Sequence, residues 1–264
     1  MIDTHVHLNK DELGSASALP GVLARAAAAG VASFVVVGFD IPSSERAVAL
    51  AETDRRLFAA VGVHPHDAES YTAASETRLR ELAVHPRAVA IGEVGLDFYR
   101  DLSPRADQYR AFRAQLALAR DVGLPVVIHC RDAYPETMAL LVDEAGDTGI
   151  VLHCFAGGEA DAEAAFRRGW FLGVGGTVTY KKNEALRAIV RDAPGEHLLL
   201  ETDAPYLSPE PLRGKYPNEP VRVALVAERV AAIRGETVET VRAYTTANAA
   251  RAFPRSASFA AKPE

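Results

Sequence analysis

The chain has 264 residues, is 48% hydrophobic and 24% charged, and carries a formal charge of −6. This composition is that of a globular protein and excludes a disordered or membrane-embedded chain, while the length suits one barrel domain of roughly 250 residues. The net negative charge gives no general attraction for nucleic acid, so a polyanion would have to be held by a local basic patch or by bound metal. Met1-Ile2-Asp3-Thr4-His5 is neither a basic leader nor an apolar segment, and no run is long enough to cross a bilayer, so a cytoplasmic location is expected. Cys130 and Cys154 are expected to be reduced thiols, and no feature points to a protein partner.

Eight short β-rich runs are separated by amphipathic stretches: 2–6, 31–38, 58–63, 88–94, 125–130, 150–154, 171–174 and 198–201. Near-continuous apolar runs such as Phe34-Val35-Val36-Val37 suit parallel strands covered on both faces. Alternation with helices then predicts an α/β fold, a single-domain (β/α)8 TIM barrel over residues 1–253. Among the helices, Ser43 precedes one over 45–54, and Ser103-Pro104 supplies an N-cap and a first-turn proline for another that Gly123 ends. The stretches 162–168 and 184–192 fill further gaps, and Asn218-Glu219-Pro220 opens a helix that Gly235 breaks. A last helix over 237–253 is expected to close over the barrel, with residues 254–264 as a flexible tail.

Aligned strands place His5, His7, His64, Glu93, His129, His153 and Asp203 at their C-terminal ends, where barrel enzymes build their sites. Strand residues two apart share a face, so His5 and His7 can chelate one ion while Thr4 and Val6 turn toward the helices. By the same parity Cys130 and Cys154 face away from the lumen as buried apolar groups, and His85 and His197 are structural. The metal set is His5, His7, Glu93, His129, His153 and Asp203: nitrogen and carboxylate donors without thiolate, suited to Zn²⁺, Mn²⁺ or, with more oxygen, Mg²⁺. It exceeds what one tetrahedral ion needs, so two divalent ions are expected, with Glu93 between them. Glu201 shares parity with Asp203 and is expected to face the lumen, its role open. No Gly-x-Ser-x-Gly elbow or phosphate loop occurs.

In order, Asp3-Thr4-His5-Val6-His7-Leu8, Gly62-Val63-His64-Pro65, Gly92-Glu93-Val94-Gly95-Leu96-Asp97, His129-Cys130-Arg131-Asp132, His153-Cys154-Phe155 and Glu201-Thr202-Asp203-Ala204-Pro205-Tyr206 resemble the signatures of the TatD family of metal-dependent deoxyribonucleases. The resemblance runs from residue 2 to about 253. It implies an amidohydrolase-like barrel with metals on His5, His7, Glu93, His129, His153 and Asp203, Glu93 bridging, and activation by Mg²⁺ or Mn²⁺. The implied substrate is DNA, preferably a single-stranded end shortened 3′→5′. Glu93 and Asp203 are the expected catalytic groups, Asp203 as proton acceptor. His64 and Arg131 are the expected phosphate contacts, Arg131 because it lies two residues beyond His129. Ala156, where the family commonly has serine, and Lys181-Lys182-Asn183 depart from its pattern near the substrate. A related barrel hydrolase acting on a small ester, lactone or amide is the competing expectation.

Overall fold

Side-chain parity divides the strand residues of the computed structural model, which describes residues 1–256, into two cores. The eight strands are β1 (Ile2–Val6), β2 (Ser33–Val37), β3 (Leu57–Val61), β4 (Ala88–Asp97), β5 (Val126–Arg131), β6 (Ile150–Leu152), β7 (Phe171–Val174) and β8 (Leu198–Leu200). Val35, Val37, Phe58, Val127, Val151, Phe171 and Leu199 point inward and fill the barrel. Their neighbours Phe34, Val36, Leu57, Val126, Ile128, Ile150 and Leu200 point outward into the layer shared with the helices. Both faces are apolar because both are covered.

All neighbouring strands pair in parallel, in the order β1 to β8. The first and last strands meet at a seam: Val6 bridges Ala204, His7 N–H donates to the Ala204 carbonyl at 2.8 Å and Asp203 N–H to the His5 carbonyl at 2.9 Å. Buried Asp3 reinforces it, one carboxylate oxygen accepting from Thr202 N–H at 3.0 Å and the other from the Thr202 hydroxyl at 2.6 Å. The chain is therefore the single-domain (β/α)8 barrel that its pattern predicts. The last helix (Val238–Ala252) does close one end, its Ala249, Ala252 and the following Phe253 joining the interior cluster where Ile2, Phe58 and Phe171 begin their strands. That leaves the opposite end for the site.

Element ends differ from expectation where capping depends on more than residue type. The helix expected over 45–54 is Ile41–Thr53, because Asp40 rather than Ser43 is its N-cap: Ser43 N–H donates to Asp40 Oδ1 at 2.7 Å, and the Ser43 hydroxyl accepts from Asp40 N–H at 2.9 Å. The helix expected after Ser103 is Arg105–Val122, and Ser103 does not cap it; its hydroxyl donates to the His66 carbonyl at 2.8 Å. Helices Leu19–Ala28, Ala73–Ala83 and Tyr134–Glu144 complete the ring. Of the expected tail, residues 254–256 form a turn in which Arg255 donates to the Ala83 carbonyl at 2.6 Å and Ser256 is buried. The rest of that expectation lies outside the described residues.

The strand that differs most is β4, which runs three residues beyond the expected Val94. Gly92 and Gly95 allow it: both have positive φ, and a Cβ on Gly95 would stand 1.9 Å from the His129 carbonyl oxygen. The missing side chains let β4 press against β5 and carry Glu93, Gly95 and Asp97 along one face. Two buried glutamines of the Arg105–Val122 helix secure the strand ends. Gln108 accepts from Asp97 N–H at 2.8 Å, and Gln115 accepts from Val63 N–H at 2.7 Å.

Candidate metal centre

At the open end, Glu93 is the residue around which the others gather. Its Oε2 lies 3.4 Å from His5 Nε2 and 3.9 Å from His7 Nε2, while its Oε1 lies 2.8 Å from His129 Nδ1 and 3.6 Å from both His64 Nε2 and His153 Nε2. Asp203 Oδ1 closes the first side, 3.3 Å from His7 Nε2 and 3.7 Å from His5 Nε2. All six expected ligands are thus brought together. Three groups among the described residues have donor atoms within 4.8 Å of one another: His5 with Glu93 and His153, His5 with His7 and Asp203, and His64 with Glu93 and His129.

These distances suit a metal. Donors bound at about 2.1 Å stand about 3.0–3.4 Å apart at the corners of an octahedron or tetrahedron. His5 with Glu93 at 3.4 Å and His7 with Asp203 at 3.3 Å match this, four other pairs at 3.6–3.9 Å lie a little beyond it, and His129 with Glu93 at 2.8 Å is a hydrogen bond. His5 supplies a separate test: its ring is fully buried and neither nitrogen has a hydrogen-bond partner. A buried polar atom left so costs free energy unless something satisfies it, and an ion facing Nε2 would do so.

The outer nitrogens decide which inner nitrogen is free to bind. His7 Nδ1 is 2.9 Å from the Val37 carbonyl, so Nε2 faces the site. His129 Nε2 is 3.0 Å from Asp97 Oδ2, so Nδ1 faces inward, and His153 Nδ1 is 3.0 Å from Glu201 Oε1, so Nε2 faces inward. Two of these histidines are therefore backed by fully buried carboxylates, an arrangement that orients a ligand and raises its basicity. Asp97 is well satisfied: its Oδ2 also meets His66 Nε2 at 2.8 Å, and its Oδ1 accepts from the backbone of Tyr99 at 3.0 Å and Arg100 at 2.7 Å. Glu201 accepts from Cys154 N–H at 2.5 Å and occupies space that only a glycine at 173 leaves open, since a Cβ there would lie 2.2 Å from Oε2.

Electrostatics follow this geometry. Burial works against ionisation of Glu93, yet the surrounding His64, His153 and His5 hold its carboxyl well below the usual range; Asp97 is likewise held low, by His129 and backbone donors. Burial opposes a charge on His153, but Glu201 and Glu93 push its pKa up to about 10, and Asp97 and Glu93 raise that of His129. Exchanging Glu201 for Gln keeps the volume and removes the charge behind His153. Affinity for Mn²⁺, titrated calorimetrically into metal-free protein, is expected to fall about 10- to 100-fold with the circular dichroism unchanged. Equal affinities would show that Glu201 only packs.

His64 adopts a different role from the six. Its Nδ1 accepts from His66 N–H at 3.1 Å, and burial lowers its pKa well below the ordinary value. A neutral ring in that state carries its proton on Nε2 and turns a donor toward the site, while the same ring belongs to the group with Glu93 and His129. Arg131 is not gathered into the cluster: it is exposed at the end of β5, with its guanidinium 3.9 Å over the Tyr99 ring. Cys130 joins the outer core as expected. Cys154 is only half-buried, because β6 ends at Leu152 and Cys154 takes a φ of 43° that breaks strand parity. His85 pairs with Glu52 at the surface and His197 with the Trp170 carbonyl, as structural histidines. Asp97 and His66 were missed; Asp97 shares the parity of Glu93 and Gly95, a signal hidden by ending the strand at Val94.

Barrel, donor set and backing carboxylates together define a metal-dependent hydrolase of the barrel class. A family model described as TatD related DNase matches residues 2–254. The metal-dependent hydrolase YabD of Bacillus subtilis is 41% identical over 254 residues, covering 96% of this chain and 98% of its own, and the 3′-5′ ssDNA/RNA exonuclease TatD of Cronobacter sakazakii is 43% identical over 244 residues, covering 90% and 92%. The crystal structure of the TatD homologue YJJV of Escherichia coli superposes with a TM-score of 0.90 at 32% identity, covering 96% of this chain and 98% of that one. The chain belongs to the TatD family.

Proposed function

We propose that this hydrolase is a deoxyribonuclease that shortens DNA from its ends, preferably single-stranded and in the 3′→5′ direction. The observation that carries the reading is Glu93, whose two carboxylate oxygens face two separate donor sets, as a group shared by two ions would. His5, His7, Asp203 and Glu93 would hold one ion, and Glu93, His129 and His153 the other. Mg²⁺ or Mn²⁺ bound there, or Zn²⁺ on the same donors, would supply charge that acidifies water and polarises phosphoryl oxygens.

The chain's own groups supply the rest. Asp203 Oδ1 faces the two histidines, leaving Oδ2 as the oxygen that takes the proton of the attacking water. His64 donates from Nε2 to a phosphate oxygen, and Arg131 at the rim meets a more distant phosphate. Relatives named 3′-5′ ssDNA/RNA exonuclease support the direction and the preference for single strands. A flexible end also reaches a recessed pocket that a stiff duplex interior reaches only after distortion.

The test uses one oligonucleotide labelled at its 5′ end and a circular one, each incubated with Mg²⁺ or Mn²⁺. A ladder shortening one nucleotide at a time with the circle spared is expected. Rapid cutting of the circle would make the enzyme an endonuclease, and intact DNA beside efficient hydrolysis of small esters would remove DNA as the substrate.

A further inference from the structure

Three loops that follow neighbouring strands converge beside His7 without entering the donor cluster. Lys10 follows β1, Phe39 follows β2 and Tyr206 follows the end of β8, and these strands are adjacent across the seam. The Phe39 and Tyr206 rings lie 5.7 and 6.0 Å from the His7 ring, both roughly edge-on to it, at 71° and 70°. Between them the Lys10 ammonium stands 4.5 Å from the Phe39 ring centre and 5.7 Å from that of Tyr206.

Two details set this group apart from ordinary surface residues. Lys10, like Lys181, Lys182 and Lys215, has no carboxylate within ion-pair distance among the described residues; what distinguishes it is its seat over the Phe39 ring beside His7. Tyr206 is 41% exposed, yet its backbone is pinned: its N–H donates to the Asp203 carbonyl at 2.8 Å and its carbonyl accepts from Asn218 Nδ2 at 2.6 Å. The preceding loop is tied down as well, with Asn9 Nδ2 donating to the Val37 and Ser43 carbonyls at 2.9 and 3.0 Å. The result is an open aromatic face and an unpaired cation, both presented from a rigid frame next to a ligand of the proposed first ion. A base has a flat face that stacks on an aromatic ring whatever its identity, and a phosphate seeks a free ammonium.

Resting on the nuclease reading above, we infer that Lys10, Phe39 and Tyr206 form a nucleotide subsite beside the metal centre. Tyr206 stacks on the base of a nucleotide adjoining the scissile phosphate, and Lys10 contacts its neighbouring phosphate. The subsite reads no sequence, since neither stacking nor an ammonium distinguishes one base from another.

The experiment compares short single-stranded oligonucleotides carrying ordinary bases with matched ones in which the terminal or the penultimate residue is abasic, which keeps every phosphate and removes one stacking face. With the native enzyme and Mn²⁺, one abasic substitution is expected to raise KM about 5- to 150-fold. In Tyr206→Leu that difference in KM should collapse, and Tyr206→Phe should restore it. A terminal 2-aminopurine on a phosphorothioate-linked trinucleotide should be quenched on binding the native protein and much less on binding Tyr206→Leu. Equal KM for both substrates in the native enzyme, or a base preference that survives in Tyr206→Leu, would overturn the subsite and leave the nuclease reading standing. Failure of the native enzyme to cut any of the oligonucleotides would overturn both.

Discussion

Replacing Asp203 by Asn is expected to lower kcat about 10²- to 10⁴-fold, equivalent to about 3–5 kcal/mol of transition-state stabilisation, while the protein remains folded. The geometry makes this substitution unusually clean. Asp203 has a φ of 54°, a left-handed conformation that most side chains resist and that Asn adopts about as readily as Asp. Its backbone N–H, which donates to the His5 carbonyl, is unaffected by the exchange. The amide keeps an oxygen toward His5 and His7 but cannot accept a proton. Steady-state rates and metal content of the same preparation decide the matter: near-native turnover at unchanged metal content would remove Asp203 from the proton-acceptor role.

Chelation is expected to abolish hydrolysis, and added Mg²⁺ or Mn²⁺ to restore it, with about two ions bound per chain at full activity. The metal-free cluster should also respond to pH with a definite sign. His153, with its pKa pushed up to about 10 by Glu201 and Glu93 against the effect of burial, is protonated at neutral pH when no ion is present. An ion needs the neutral ring, so binding releases that proton and affinity rises with pH, by up to about tenfold per unit below 10. Titrations of metal-free protein in buffers of different ionisation enthalpy count the protons directly. Full activity in the presence of chelator, or affinity falling as pH rises, would contradict the arrangement.

The sequence shows most of the barrel because a barrel is made of local signals. Apolar runs with two-residue parity and helices with their own caps repeat eight times, and the donors at the strand ends align once those runs are found. What it hides is pairing between distant residues. Asp97 matters because His66 and His129 converge on it, and Glu201 because His153 and the bare face of Gly173 do; none of these neighbours is near in sequence. The glycines at 92 and 95 hid the length of β4, since a glycine in a strand is as readily taken for its end as for a place where two backbones touch. Arg131 shows the limit of parity at a strand end. Parity put it on the face of His129, but at the last position of β5 its long side chain turns to the open Tyr99 ring.

The seam between β1 and β8 bears on how the protein comes to life. The donor group His64, Glu93 and His129 lies within residues 64–129, whereas the group His5, Glu93 and His153 needs the first strand, and the group His5, His7 and Asp203 joins that strand to a residue beyond the last. Nearly two hundred residues separate those partners, among the longest loop closures in the molecule and the kind of contact that forms late. During synthesis the growing chain exposes His5 first and Asp203 only after every other strand has emerged. A chain that still lacks Asp203 lacks one of the gathered donors, so the full cluster exists only once the ring has closed.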